Sequence, residues 1–161
     1  MITIRPMTPD DADAVLAIYR QGIEEGTATF LRDCPTWDAF SASHLPVCRF
    51  VSVEDGRVTG WLALSPISAR PHYRGVAEVS VYVDRAYRRK GAGHALLRAT
   101  IEASEAAGIW TLQAHILAGN TASRKLHEDA GFRVVGYRER IAQDRFGSWH
   151  DTLLLERRSA L

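Results

Sequence analysis

Glu78 stands in the run Ala77-Glu78-Val79-Ser80-Val81-Tyr82-Val83, whose alternation predicts a strand with Val79, Val81 and Val83 on one face and Glu78, Ser80 and Tyr82 on the other. A carboxylate on so apolar a strand is a candidate general base; the same residue type also serves as a structural carboxylate paired with a nearby arginine. The strand runs into Arg88-Arg89-Lys90-Gly91-Ala92-Gly93, a basic turn that opens a helix. Such a turn aims backbone N–H groups and the positive end of the helix dipole at one point, and Gly91 and Gly93 let an anion approach the backbone closely. A pyrophosphate cradle is predicted, with Arg88, Arg89 and Lys90 adding side-chain charge. The turn lacks both the Gly-Lys-Ser/Thr end of a P-loop and the Gly-x-Gly-x-x-Gly spacing of a dinucleotide fold. On spacing alone it fits a solvated basic turn before an ordinary helix equally well.

These residues need a scaffold, and the hydrophobic periods supply one. Ile2 to Arg5 reads as a strand, and the acidic residues after Pro9 open a helix that is predicted to end near Arg20. Gly22 to Pro35 has no clear period and reads as a loop; Trp37 to Leu45 reads as a short helix. Phe50 to Val53 and Val58 to Leu64 flank Asp55-Gly56, a hairpin signal. After Gly93 the helix runs to about Gly108, with Ala92, Ala95, Leu96, Ala99, Ala103 and Ala106 as its packing stripe. Thr111 to Leu117 is a strand, Asn120 to Ala130 a helix closed by Gly131, Phe132 to Tyr137 a strand, and Trp149 to Glu156 the last strand. The order β α α β β β α β α β β predicts an α/β fold, a mixed sheet with helices on both faces.

The chain has 161 residues, 20 Lys+Arg against 19 Asp+Glu, six His and a formal net charge of +1. That size predicts one domain over residues 1–161, and the charge balance argues against a protein that works by coating nucleic acid or anionic membrane. The short basic cluster with Arg85 is the only feature favouring a nucleic-acid module, and that reading ranks last. Cys34 and Cys48 fit neither a disulfide framework nor paired zinc ligands, and His44, His94, His115 and His150 show no converging spacing, so no metal is expected. The start of the chain lacks the pattern of a signal peptide, and no apolar run is long enough to span a membrane, so a cytoplasmic protein is expected.

Arg88-x-x-Gly91-x-Gly93 after an apolar strand resembles the acetyl-CoA signature of the GCN5-related N-acetyltransferases (GNAT). Asn120-x-x-Ser123-x-x-Leu126-His127-Glu128-x-x-Gly131-Phe132 resembles that superfamily's second cofactor segment. Ile18-Tyr19, Thr27-Ala28-Thr29-Phe30, Arg74, Glu78 with Ser80 to Val83, and Phe146-Gly147-Ser148-Trp149-His150-Asp151 are similar to the phosphinothricin and methionine sulfoximine acetyltransferases. Leu31 to Pro46 and Arg70 to Val76 follow that family only loosely.

The resemblance implies the GNAT fold with a mostly antiparallel sheet, acetyl-CoA as co-substrate, no metal, and transfer of acetyl to the α-amine of a small amino acid. A free amine is mostly protonated at neutral pH, so a base is required, and the family's base matches Glu78, acting directly or through one water. His127 would be the general acid, or an orienting donor, near the sulfur. Backbone N–H groups of Val81 or Val83 would meet the acetyl oxygen, and the strand through Tyr82 would pair with the pantetheine amides as an added strand would. Gly91, Ala92, Gly93 and His94, with Arg88, Arg89 and Lys90, would hold the phosphates, and Asn120 and Ser123 would complete the cofactor site. Arg74 and Arg70, flanked by His72 and Tyr73, would bind acidic groups of the substrate; Thr29 and Phe30 would line the mouth and Trp149 close it. Acetylation of a protein N-terminus or another amine is an alternative, as is a non-catalytic acyl-CoA sensor. A homodimer is expected by analogy with the family.

Overall fold

In the computed structural model, which describes residues 1–160, the chain runs β1 (Thr3–Pro6), α1 (Ala12–Glu25), α2 (Trp37–Ser43), β2 (Phe50–Glu54), β3 (Arg57–Pro66), β4 (Val76–Val83), α3 (Ala92–Ala106), β5 (Thr111–Leu117), α4 (Thr121–Asp129), β6 (Arg133–Gln143) and β7 (Trp149–Arg158). The element order is the one expected. Among the described residues the strands form one sheet in the order β1-β2-β3-β4-β5-β7-β6, antiparallel at every step except β4 to β5.

Helices cover both faces because the central strands are apolar on both. On β3, Trp61 and Ala63 point into a cluster with Val15, Ile18 and Phe40 from α1 and α2. Leu62 and Leu64 point the other way, against Leu96 and Leu97 of α3 and Leu112, Ala114 and Ile116 of β5. This two-sided burial is what a central strand of an α/β sheet requires.

The feature that makes the site is a split in the sheet. β4 and β5 pair only through Val76↔Thr111, Ala77↔Leu112 and Glu78↔Gln113. Beyond Glu78, β4 stays on β3 as far as Val83↔Gly60, while β5 stays on β7 as far as Leu117↔Thr152. The two parallel strands therefore diverge, and one edge of β4 from Val79 onward is left without a ladder partner.

Three expectations are corrected. α1 does not stop at Arg20; it continues to Glu25 and ends at the left-handed Gly26. Gly22 sits inside that last stretch because a Cβ there would lie 2.5 Å from Cε1 of Tyr82, so the absent side chain admits the tyrosine ring. β6 extends past Tyr137 to Gln143, since an exposed edge strand can be polar on both faces and gives no alternation to read. The buried stripe of α3 is Ala92, Leu96, Leu97, Thr100 and Ser104, with Ala106 exposed, because the two leucines rather than the small alanines set the face that packs.

Candidate active site

The split holds a cleft of about 190 Å³ lined by Glu78, Ser80 and Tyr82 of β4, His115 and Leu117 of β5, and His127 of α4, with Tyr19 and Thr29 closing it from the α1 side. Glu78 is half-buried. Its Oε1 accepts from Gln113 Nε2 at 3.3 Å and meets His115 Nδ1 in a short contact. Burial alone would raise the Glu78 carboxyl, but the hydrogen bond and charge of His115, with the Gln113 amide, outweigh it and hold the group below its ordinary value. The partners of this carboxylate are thus a histidine and an amide, not an arginine.

His127 is buried in the second turn of α4. Its Nδ1 lies 2.7 Å from the Ser123 carbonyl oxygen, so Nδ1 carries the hydrogen and donates, and Nε2 is a buried nitrogen without a protein partner. Burial is the main cause that holds this imidazole's pKa below its ordinary value, against the opposing pull of the Ser123 carbonyl, so the resting ring is neutral. Nε2 is then an acceptor; it can donate only after it has gained a proton.

At the far end of β4 the chain enters α3 through Gly91, whose φ of 93° is the left-handed backbone glycine favours and which supplies no side-chain cap. The N–H groups of the first turn therefore face the hollow between Val83, Arg89, Gly93 and Leu126 rather than a capping side chain. Gly93 fits closely there, since a Cβ would lie 3.2 Å from Leu126 Cδ2. Asn120 caps α4 by accepting from Ser123 N at 3.1 Å, and its Nδ2 donates to the Thr27 carbonyl at 3.3 Å, joining α4 to the loop after α1. An uncapped helix start, a basic turn and an unpaired strand edge leading to a polar cleft are together suited to a long ligand with phosphates at one end and a reactive group at the other.

Residues 14–132 match the family model described as the Acetyltransferase (GNAT) family. The chain belongs to this family. It is 32% identical over 161 residues to the L-methionine sulfoximine/L-methionine sulfone acetyltransferase of Pseudomonas paraeruginosa, covering 96% of this chain and 92% of the relative. It is also 32% identical over 161 residues to the phosphinothricin N-acetyltransferase of Alcaligenes faecalis, covering 96% and 81%. Among solved structures, the GNAT superfamily phosphinothricin acetyltransferase of Sinorhizobium meliloti in complex with AcCoA superposes with a TM-score of 0.89 at 26% identity, covering 98% of this chain and 88% of that one. The ribosomal-protein-alanine N-acetyltransferase of Brucella melitensis does so with a TM-score of 0.88 at 29% identity, covering 98% and 99%.

Seen as a GNAT protein, the chain gathers some of its expected site residues and disperses others. Glu78, Val81, Tyr82, Asn120, Ser123, His127 and Thr29 line one cleft. The Tyr82 ring is packed between Tyr19 and Trp61, with centroids 5.0 Å from each, and its hydroxyl pKa is pushed well up by burial; β4 offers its backbone there. Arg88 does not hold a free guanidinium toward the hollow: it pairs with Glu25 at 3.0 Å and donates to the Val83 carbonyl, locking the turn to α1. His94 lines the same hollow, with its ring nitrogen Nε2 3.2 Å from Asp129. Lys90 lies over the Tyr87 ring at 5.1 Å.

On the acceptor side, Trp149 is exposed, with the Arg140 guanidinium 4.9 Å from its ring, and lines a hollow with Thr27, Leu117 and Asn120 next to the main cleft. Phe30 packs on His150 at 5.4 Å. His72, Tyr73 and Arg74 are not brought into the cleft. His72 and Tyr73 occupy an exposed 3-10 turn over Pro71–Tyr73, and Arg74 donates to the Pro71 carbonyl and lies over Trp110 at 5.4 Å. Gln113 and His115 are functional-site residues that the motifs do not mark; His115 enters there only among the histidines without metal-like spacing. The signal that finds them is parity: in Thr111-Leu112-Gln113-Ala114-His115-Ile116-Leu117 the two polar residues share the face opposite Leu112, Ala114 and Ile116. Among the described residues no group of three or more metal-ligating side chains is present, and no helix is long and apolar enough to cross a membrane.

Proposed function

We propose that the chain works as a single acetyltransferase domain that moves an acetyl group from acetyl-CoA to the α-amine of a small amino acid of the methionine sulfoximine, methionine sulfone or phosphinothricin type. The observation that carries this reading is a carboxylate, Glu78, at the point where β4 and β5 part, on the same strand that ends in the uncapped start of α3. The names of relatives aligned over nearly the whole chain point to the same reaction.

In this reading the backbone N–H groups from Gly91 to His94, with Arg89 and Lys90, hold the phosphates, and Arg88 acts by fixing the turn. Acetyl-CoA supplies the activated acyl group. The free edge of β4 aligns the pantetheine arm, and the N–H of Val81 or Val83 donates to the acetyl oxygen as negative charge gathers on it. Glu78 provides the base function that neutralises the ammonium, by direct attack chemistry without an acyl-enzyme stage. His127, bare at Nε2, accepts a proton from the attacking nitrogen and returns it to the departing sulfur, which turns the general-acid role expected for it into a two-way one. Thr29, Phe30 and Trp149 surround the amino acid's side chain, and Arg74, released from Trp110, takes its carboxylate. The reading places the protein in a reducing cytoplasm, in keeping with the free thiols of Cys34 and Cys48, and pairs two copies through the exposed apolar side of β6 and β7, where Val135, Tyr137, Ile141 and Trp149 lie open.

A second reading, transfer to a protein N-terminus, is favoured by the likeness to the ribosomal-protein-alanine enzyme. A CoA-release assay with L-methionine sulfone, L-methionine sulfoximine and phosphinothricin beside peptides with N-terminal alanine separates the two. Turnover of the free amino acids at a kcat/KM at least about tenfold above the peptides is expected, a gap of about 1.4 kcal/mol. The reverse order assigns the chain to the second reading.

A further inference from the structure

We propose that His115 and Glu78 work as one proton-accepting dyad, in which Nε2 of His115 takes the proton from the acceptor's ammonium and Glu78 fixes the imidazole for that task. The inference rests on the base function assigned to Glu78 and names the atom that meets the proton.

The geometry starts from the parallel register Glu78↔Gln113, which sets His115 one side-chain position further along the same face of β5, beside the start of the split. His115 Nδ1 contacts Glu78 Oε1, and Gln113 Nε2 donates to the same oxygen at 3.3 Å. An ionised carboxylate only accepts, so the hydrogen of the neutral imidazole lies on Nδ1 and Nε2 keeps its lone pair. This is the orienting arrangement of a carboxylate behind a catalytic imidazole. Both residues line the cleft. Imidazole is intrinsically the stronger proton acceptor of the two, and the contacts that hold the Glu78 carboxyl below its ordinary value weaken it further as a lone base.

The titratable groups around His115 are Glu78 and Tyr82 of β4, Tyr19 of α1 and His127 of α4 on the cleft, and Glu156 of β7, opposite Gln113 and engaged by Arg133 and Arg158. Glu78 is the one in contact with the ring. The step balances. The first proton passes from the ammonium to His115 Nε2, the resulting imidazolium faces the Glu78 carboxylate, and the side chain, 36% exposed, returns the proton to solvent. The neutral amine then forms the C–N bond as the C–S bond breaks, and its second proton ends on the sulfur.

The test has one arm that needs no substrate. In protein labelled with 15N at histidine, His115 is expected as the Nδ1–H tautomer at neutral pH, a preference lost in E78Q; an Nε2–H tautomer in the unaltered protein overturns the proposal. The second arm measures kcat/KM for L-methionine sulfone against pH. H115N keeps an N–H for Glu78 but no basic nitrogen, so kcat/KM is expected to fall about a hundredfold or more, with the acid limb moved to lower pH and acetyl-CoA affinity retained. H115N within about threefold of the unaltered enzyme, with E78Q strongly impaired, leaves Glu78 as the sole base and ends the dyad. If E78Q is also unimpaired, the base function of Glu78 fails and the dyad with it. Should methionine sulfone not be acetylated at all, the substrate reading falls and the tautomer decides the dyad by itself.

Discussion

The cofactor side of the cleft and the acceptor side are built from different material. On the cofactor side, β4, the turn after it, α3 and α4 present backbone N–H groups and an unpaired strand edge, held by regular hydrogen bonding and by the Arg88–Glu25 pair. On the other side, Thr29, Phe30 and Trp149 come from a loop or a strand end, and two of them engage their own neighbours, Phe30 with His150 and Trp149 with Arg140, while Arg74 stays outside the cleft on Trp110. Backbone geometry cannot easily be retuned by point substitution, whereas loop side chains can. On the proposed function, the frame carries the reaction and its attachments the choice of amine.

Substitutions can break this contrast or sharpen it. The largest effect is expected at the junction of the two sides: E78Q should lower kcat/KM by about 10² to 10⁴, while acetyl-CoA affinity measured by calorimetry stays within about twofold. Comparable losses in both would merge the sides into one. Next, Gly91→Ala forces a side chain onto a φ of 93°, at a cost of about 1–2 kcal/mol; the KM for acetyl-CoA should rise about tenfold with the acceptor KM unmoved. Trp149→Ala is the mirror experiment. Steady-state kinetics should show the acceptor KM rising about threefold, with the acetyl-CoA KM and the melting temperature nearly constant, because the residue is 52% exposed.

The smallest effect is a control far from either side. Asp11 is buried and accepts from the two terminal guanidinium nitrogens of Arg5, each at 2.8 Å. The Arg5 hydrogen bonds are the largest cause that holds its carboxyl below the ordinary 3.8; burial opposes them, and the Thr8 N–H and the Arg5 charge assist. A folded value below the unfolded one means that the pair's contribution is complete above pH 3.8 and disappears as the pH falls through the folded value. Urea titrations should show a loss of about 1 kcal/mol on that acid side, allowing for the exposure of Arg5, and none in Asp11→Asn.

What the sequence disclosed follows the same division. The alternation of β4, the Gly91–Gly93 turn, the Asn120 cap and the Gly131 stop are local signals, each contained in a few consecutive residues, and the frame was legible from them. Glu78 was visible as a carboxylate out of place, but its partners were not: Gln113 and His115 lie 35 and 37 positions away and reach it only through a parallel register. The pairing of Arg88 with Glu25, 63 positions earlier, is equally hidden, because nothing local in the sequence places α1 beside the turn. The extension of α1 through Gly22 was hidden for a related reason. Glycine reads as a breaker until the ring of Tyr82, sixty residues on, is known to need the space.

The central claim, acetylation of a free amino acid's α-amine, is tested most directly by competition. The protein is given limiting acetyl-CoA with equimolar L-methionine sulfone and a peptide bearing N-terminal alanine, and the acetylated products are weighed by mass spectrometry. N-acetyl-methionine sulfone as the dominant product is the result the account predicts. Acetyl groups found mainly on the peptide would contradict it.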